Sequence, residues 1–351
     1  MSMRRHTVTV SLAALLFSTG VIAQKKVEKK QDDAQKKEIQ SVVKVVDDVA
    51  NGQPAPNDLS LTWVRSDFLK AQGNKEYVPF TVAIDPSKIS GGNVALYWRV
   101  VAKGGAAPTA APAAKDDKKD KDKDKDKKTE YAYEDITFVP VAAGQNPMRI
   151  SRSFTVPAGE YDVFVVAKEP VSNQKNAPPP KMSVLKQDVT VPDFWNGELG
   201  TSSVIIAQRI DPLAAPLTPQ QQADRPYALG AMEIQPAFDT AFTKKSELST
   251  FMLIYNPKTD SANKPDVTVE YNFYAKSGGT EKFFNKTAPQ ALNAQTLPPQ
   301  FDLAAGHQLQ TGQAVPLASF PEGDYRLEIK VTDKIANKSL TRDVNFTVSA
   351  S

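Results

Sequence analysis

Glu160 and Asp162 flank Tyr161, and Glu322 and Asp324 stand just ahead of Tyr325. Two carboxylates at the right separation serve as acid and base or acid and nucleophile in glycoside hydrolysis, and carboxylate clusters ligate calcium. A calcium site needs more oxygen ligands converging on the ion, and no D-x-[DN]-x-[DN]-G stretch supplies them. At a turn into a strand such acids usually stay in water, which is the favoured reading here. Beyond the first 23 residues there is one histidine, His307, in A-A-G-H-Q-L. A lone histidine cannot build the usual His-rich zinc site. There is no G-x-S-x-G elbow, no G-x-x-x-x-G-K-[ST] loop and no G-x-G-x-x-G turn. The absence of cysteine excludes disulfides, thiol nucleophiles and thiolate metal sites. The expectation is a protein without catalytic residues, metal or cofactor.

Aromatic pairs bind sugars and peptides by stacking, and Phe194-Trp195 is the candidate ligand-binding pair. Its other reading is a packing anchor at a domain junction. The anchor is favoured, because the pair precedes a stretch with strand and helix signals. Trp98 lies mid-strand among Leu96, Val100 and Ala102, where a sandwich buries a tryptophan.

The elements that would position these residues occur twice. Leu61–Lys88 aligns without a gap with Met232–Thr259, so that Trp63 meets Ile234 and reads as a core position. V-A-L-Y-W-R-V-V-A-K-G-G (94–105) faces V-T-V-E-Y-N-F-Y-A-K-S-G-G (267–279), and P-A-G-E-Y-D-V-F-V-V (157–166) faces P-E-G-D-Y-R-L-E-I-K (321–330). Asp188-Val189 faces Asp343-Val344. Period-2 alternation marks strands at Leu61–Val64, Tyr77–Ile84, Val94–Ala102, Ile136–Val141, Met148–Phe154, Tyr161–Ala167 and Val184–Val191. Short strands in this number predict an all-β fold: two tandem immunoglobulin-like β-sandwich domains from an internal duplication. A tyrosine after each P-x-G-[ED] corner should bond back to that corner.

The segments follow from composition. Arg4, Arg5 and the apolar run Val8–Ala23 read as an export signal over 1–23, cleaved after Ala23. At 16 residues that run is short of the roughly 20 needed to span a bilayer. Residues 24–58 form a charged helical segment and linker, with a helix from about Lys29 to Val49 carrying a short apolar stripe and expected to attach loosely. Domain 1 covers 59–193. It carries an insertion at 104–129 whose Lys/Asp run at 115–128 has 8 Lys and 6 Asp, predicted to be a disordered loop. Residues 194–228 form a structured connector, with Thr218-Pro219 opening a short helix that Pro226 ends. Domain 2 covers 229–351.

The formal charge is only +3, falling to +1 when Arg4 and Arg5 leave with the signal, so no basic footprint points to nucleic acid. No later segment is apolar enough to be a transmembrane segment after signal cleavage.

V-P-F-T-V (78–82), G-T-S-S-V-I-I-A (200–207), P-L-T-P-Q-Q-Q (216–222), P-Y-A-L-G (226–230) and F-P-E-G-D-Y-R-L-E-I-K-V-T-D (320–333) resemble uncharacterised exported β-sandwich proteins of acidobacteria-type bacteria. They are similar to the β segments that accompany GWxTD-domain and von Willebrand-factor-A-related proteins. The resemblance covers most of 55–350. The chain has neither a G-W-x-T-D motif nor a D-x-S-x-S metal motif. The resemblance implies a periplasmic or secreted sandwich and carries no activity. The functional expectation is an exported, non-enzymatic binding or structural module of the cell envelope, its partner an envelope protein or polysaccharide. The alternative is a carbohydrate- or peptide-binding protein using an interdomain groove.

Overall fold

The computed structural model describes residues 33–104, 131–141, 146–171 and 177–350. The stretch 1–23, read as an export signal, and nearly all of the insertion 104–129 lie outside them. Among the described residues the chain is all-β with two α-helices, and it divides into two compact units.

The N-terminal unit comprises 33–66 and 73–193 of the described chain. Its elements are α1 (Asp33–Ala50) and β1 (Thr62–Ser66), then, past β2 (Leu69–Lys70), β3 (Glu76–Ile84), β4 (Asn93–Ala102), β5 (Tyr133–Pro140), β6 (Met148–Val156), β7 (Gly159–Lys168) and β8 (Met182–Val191). One sheet has the order β5-β4-β7-β8; in the other, β3 pairs with β1 and β6. Between them pack Phe80, Trp98 and Phe154, all at most 2% exposed, with ring centroids 5.9–6.0 Å from Phe80. The Trp98 indole donates to the Ser153 carbonyl at 3.2 Å, satisfying its one polar atom. Trp63 stacks on Phe80 at 5.0 Å, yet it is only half-buried, at the rim of the core rather than within it.

The helix departs from expectation. Instead of hanging loosely, α1 lays Val42 and Val46, both 0% exposed, on Tyr97, Phe164, Val166 and Val184. Those four residues point away from the sandwich core, so β4 is buried along both faces from Val94 to Val100. A short stripe suffices because the sheet beneath it is apolar as well: burial depends on both partners.

The C-terminal unit comprises Asp67–Gln72 with β2, and Phe194–Ser351. Its elements are β9 (Gly200–Thr201), β10 (Ile205–Pro212), α2 (Pro219–Asp224), β11 (Ala228–Leu229), β12 (Met232–Pro236), β13 (Ala241–Thr243), β14 (Glu247–Tyr255), β15 (Val267–Ser277), β16 (Thr280–Lys286), β17 (Gln290–Leu292), β18 (Leu309–Pro316), β19 (Gly323–Asp333) and β20 (Lys338–Ser349). The sheets have the orders β11-β12-β10-β14-β18 and β13-β20-β19-β15-β16, with β9 on β14, β17 on β15, and β13 parallel to β20. The stretch read as a connector, 194–228, is thus built into this unit. Its strand β10 runs between β12 and β14, where the matched β1 of the other unit pairs directly with β3. Alternation in β10 reveals a strand but not which sheet receives it. Helix α2 matches its sequence signals: Thr218 and Gln221 form a capping box, and Pro219 occupies the first turn.

The two units share a strand order and a register. β5-β4-β7-β8 runs as β16-β15-β19-β20 does. Trp98 faces Val165, four residues after Tyr161; Tyr271 faces Ile329, four residues after Tyr325. Both Trp98 and Tyr271 are buried. The last strands correct the sequence alignment. Tyr161 faces Val189 and Tyr325 faces Phe346, so Asp188 corresponds to Asn345 and not to Asp343. A two-residue slip keeps every side chain on its face, so alternation alone cannot detect it.

Candidate functional site

The corner tyrosines behave identically. Tyr161 donates to the Pro157 carbonyl and Tyr325 to the Pro321 carbonyl, each at 2.8 Å. Of the acids beside them, Asp162 is half-buried and the other three are exposed. Asp162 pairs with Lys186 at 2.9 Å and Lys103 at 3.4 Å, while Glu160 is exposed. Glu322 lies 3.8 Å from Lys244, and Asp324 accepts from the Thr347 hydroxyl at 2.6 Å. Neither pair converges on a shared point. His307 caps its own loop: Nδ1 accepts the Asp302 amide at 3.0 Å, a role no sequence motif announces.

A dense polar arrangement centres on Arg99, whose side chain is 3% exposed beneath α1. Alternation along β4 turns Trp98 inward and Arg99 outward, onto the helix. Nη1 donates to Asp47 of α1 at 2.6 Å, and Nη2 reaches Glu134 of β5 at 3.3 Å. Nε donates to the Tyr97 hydroxyl at 2.7 Å, which in turn donates to Glu134. The guanidinium carbon sits 3.8 Å from the Tyr131 ring centroid, a cation–π contact. Burial opposes the Arg99 charge, but the Asp47 hydrogen bond, with Tyr97, Tyr131 and Glu134, outweighs it and raises the pKa. Burial, reinforced by the Glu134 carboxylate, drives the Tyr97 phenol far above its ordinary range. An arginine locked in the charged state and a phenol locked in the neutral state are suited to holding structure rather than moving protons. Beside this network, at the C-terminal end of α1, is a cavity of about 360 Å³ lined by Val49, Asn51, Arg99, Tyr131, Phe164 and Lys186, among others.

The C-terminal unit has a related network elsewhere. Arg326 bonds Asp343 at 2.6 Å, Glu281 at 2.8 Å and Glu328 at 3.2 Å, and covers the Tyr274 ring at 4.5 Å. Burial opposes its charge; the three carboxylates outweigh burial and raise its pKa. Neither arginine centre was legible as such, because Tyr97 and Glu328 are the only partners on its own strand and the others come from other strands or the helix.

The candidate pair splits. Phe194 is buried, its ring 4.9 Å from Tyr255, and its carbonyl accepts Asn256 Nδ2 at 3.0 Å. Trp195 is 40% exposed, with the Lys70 ammonium 4.2 Å over its ring. Lys70 also donates to Asn256 Oδ1 at 2.9 Å. Asn256 sits at φ +54°, which asparagine tolerates better than most residues. Among the described residues no group of three or more acid, histidine or cysteine side chains is placed to hold a metal. No helix among them is long and apolar enough to cross a membrane.

The fold and these sites define a protein of two immunoglobulin-like sandwiches, with Arg99 and Arg326 each held in a network of carboxylates and aromatic side chains. No protein-family model matches the sequence. No curated protein matches it either. Among solved structures, it is similar to Salmonella alpha-2-macroglobulin reacted with methylamine, at 13% identity and TM-score 0.22, over 85% of this chain and 17% of that one. Native Escherichia coli alpha-2-macroglobulin gives 8% identity and TM-score 0.21, over 85% and 15%. The trypsin-activated form from Escherichia coli gives 11% and 0.22, over 85% and 17%. This chain therefore spans under a fifth of their length, and at these TM-scores the likeness carries no argument about its role.

Proposed function

We propose that the chain is an exported, non-enzymatic binding or structural module of the cell envelope. The observation that carries this reading is the closure of its two arginine networks. Arg99 and Arg326, the two most heavily partnered cations described above, spend their donors on carboxylates and a phenol of their own unit. The leader 1–23 and the resemblance to exported acidobacteria-type sandwiches support export. The test is fractionation of cells producing the tagged chain, with the N-terminus sequenced. The reading expects a chain starting at Gln24 in the envelope or outside the cell, cross-linked to an envelope protein or polysaccharide. A chain retaining its leader in the cytoplasm, or a hydrolytic activity abolished by one carboxylate substitution, contradicts it.

Exposed Trp195 supports the second reading, carbohydrate or peptide binding. Stacking of a sugar on that ring should be lost in Trp195→Ala, and glycan-array binding unchanged by the substitution would exclude it. Phe194 is spent on Tyr255 and is no part of such a platform.

A further inference from the structure

Trp195 stands in the C-terminal unit on a loop that the fold holds in place. Asn256 Nδ2 donates to both ends of 194–198, to the Phe194 carbonyl at 3.0 Å and the Glu198 carbonyl at 2.9 Å. The Asn196 side chain accepts the Glu198 amide at 2.9 Å, and the Phe194 ring is buried. The indole, 40% exposed, is thus presented by a fixed backbone. A ring held in this way can be met by a ligand without first having to be ordered.

Lysines gather around the same loop. Lys70 lies 4.2 Å over the Trp195 ring, and Lys338 pairs with Glu198. Asp333, 0% exposed, accepts the amide of Lys258 at 2.7 Å and those of Ile335 and Ala336 at 3.0 Å. It thereby ties the turn after β14, which carries Lys258, to the hairpin that leads into Lys338. Asp260, beyond Lys258, accepts the Ala262 and Lys264 amides at 2.9 Å. Lys338, and more weakly Lys258, hold the Glu198 carboxyl below its ordinary value, so both ammonium groups act on one point of the Trp195 loop.

We propose that this part of the C-terminal unit binds an acidic polysaccharide, a uronic-acid ring stacking on Trp195 while Lys258 and Lys338 meet its carboxylates. The apolar body of an indole accepts the C–H face of any sugar; the lysines select the charged one. This assignment rests on the carbohydrate reading of Trp195 and narrows it to one class of glycan.

Calorimetric titration of the full-length chain tests it, with polygalacturonate as the acidic polymer and dextran as the neutral one. Polygalacturonate should bind, less tightly as salt rises, and dextran should not. Trp195→Ala and Lys258→Glu should each weaken binding about tenfold or more. Lys258→Glu changes an exposed side chain and keeps the backbone amide that Asp333 accepts, so it decides the matter even if Trp195→Ala fails to fold. Dextran bound as tightly as polygalacturonate, and lost in Trp195→Ala, would overturn the acidic assignment and leave the carbohydrate reading standing. Polygalacturonate bound equally well by wild type and Trp195→Ala, or by wild type and Lys258→Glu, would overturn the assignment as well. A folded chain that binds neither polymer overturns it together with the carbohydrate reading.

Discussion

Arg99 donates to Asp47 across 2.6 Å, and this pair fixes a helix to a sheet 52 residues further along the chain. Arg99 is buried and Asp47 is half-exposed, so their removal has unequal effects. Asp47→Ala leaves a guanidinium still held by Glu134 and Tyr97 and should cost about 1 kcal/mol. Arg99→Met removes the centre of the network and should cost about 3 kcal/mol. Urea denaturation of both single variants and the double should give a coupling of about 1 kcal/mol, since residues in one network are not additive. Strict additivity would mean that the bond contributes nothing to holding α1.

The corner tyrosines give a matched pair of tests. Tyr161→Phe and Tyr325→Phe each lose one hydrogen bond to a proline carbonyl and should each cost about 1 kcal/mol. Tyr325→Ala also empties a site lined by Phe284, Phe320 and Phe346, and should cost about 3 kcal/mol or more. Arg326 does not behave as a plain wet-face residue, although strict alternation places it outward. Arg326→Ala leaves Glu281, Glu328 and Asp343 facing one another and should cost about 1 kcal/mol. Thermal melts of the four variants order these effects, and a Tyr325→Ala no worse than Arg326→Ala would refute the assigned inward face of β19.

Tyr271 sets an alkaline limit. Burial pushes its phenol up to about 12 from 10.0, while Thr311 accepts its hydroxyl at 2.8 Å. A folded pKa above the unfolded one means that the fold holds the proton more tightly. The associated stability is complete below pH 10 and is lost as pH rises toward 12. Two pKa units correspond to about 3 kcal/mol at most. Tyr271→Phe should lower stability by about 1 kcal/mol at neutral pH and flatten the fall above pH 10. Denaturation midpoints followed from pH 8 to 12 would show it, and an unchanged alkaline slope would contradict the assignment.

Much of the fold was legible because its signals are local. Period-2 alternation placed all seven strands of the N-terminal sandwich, and Thr218-Pro219 announced α2. What stayed hidden depends on residues far apart in sequence. The insertion of β10 between β12 and β14 is a choice of ladder, and the offset of the last strand preserves every facing. The docking of α1 was hidden for the same reason. The stripe of Val42 and Val46 is short, and its partners Tyr97, Phe164 and Val166 lie on strands far along the chain. Trp195 and Phe194 are adjacent in sequence, but only the placement of Tyr255 and Lys70 separates anchor from exposed ring.

The outer face of β5-β4-β7-β8 is apolar under α1 and its counterpart in the C-terminal unit is polar, and one comparison tests this difference directly. Val46→Asp puts a carboxylate where the helix meets Tyr97 and Phe164, whereas Lys330→Asp changes charge on the uncovered face, at the ladder position equivalent to Val166. Equilibrium urea unfolding should show a loss of about 3 kcal/mol or more for Val46→Asp and within about 0.5 kcal/mol for Lys330→Asp. Equal small effects would show that α1 does not hold to the sheet and that the apolar face under it is not a helix site.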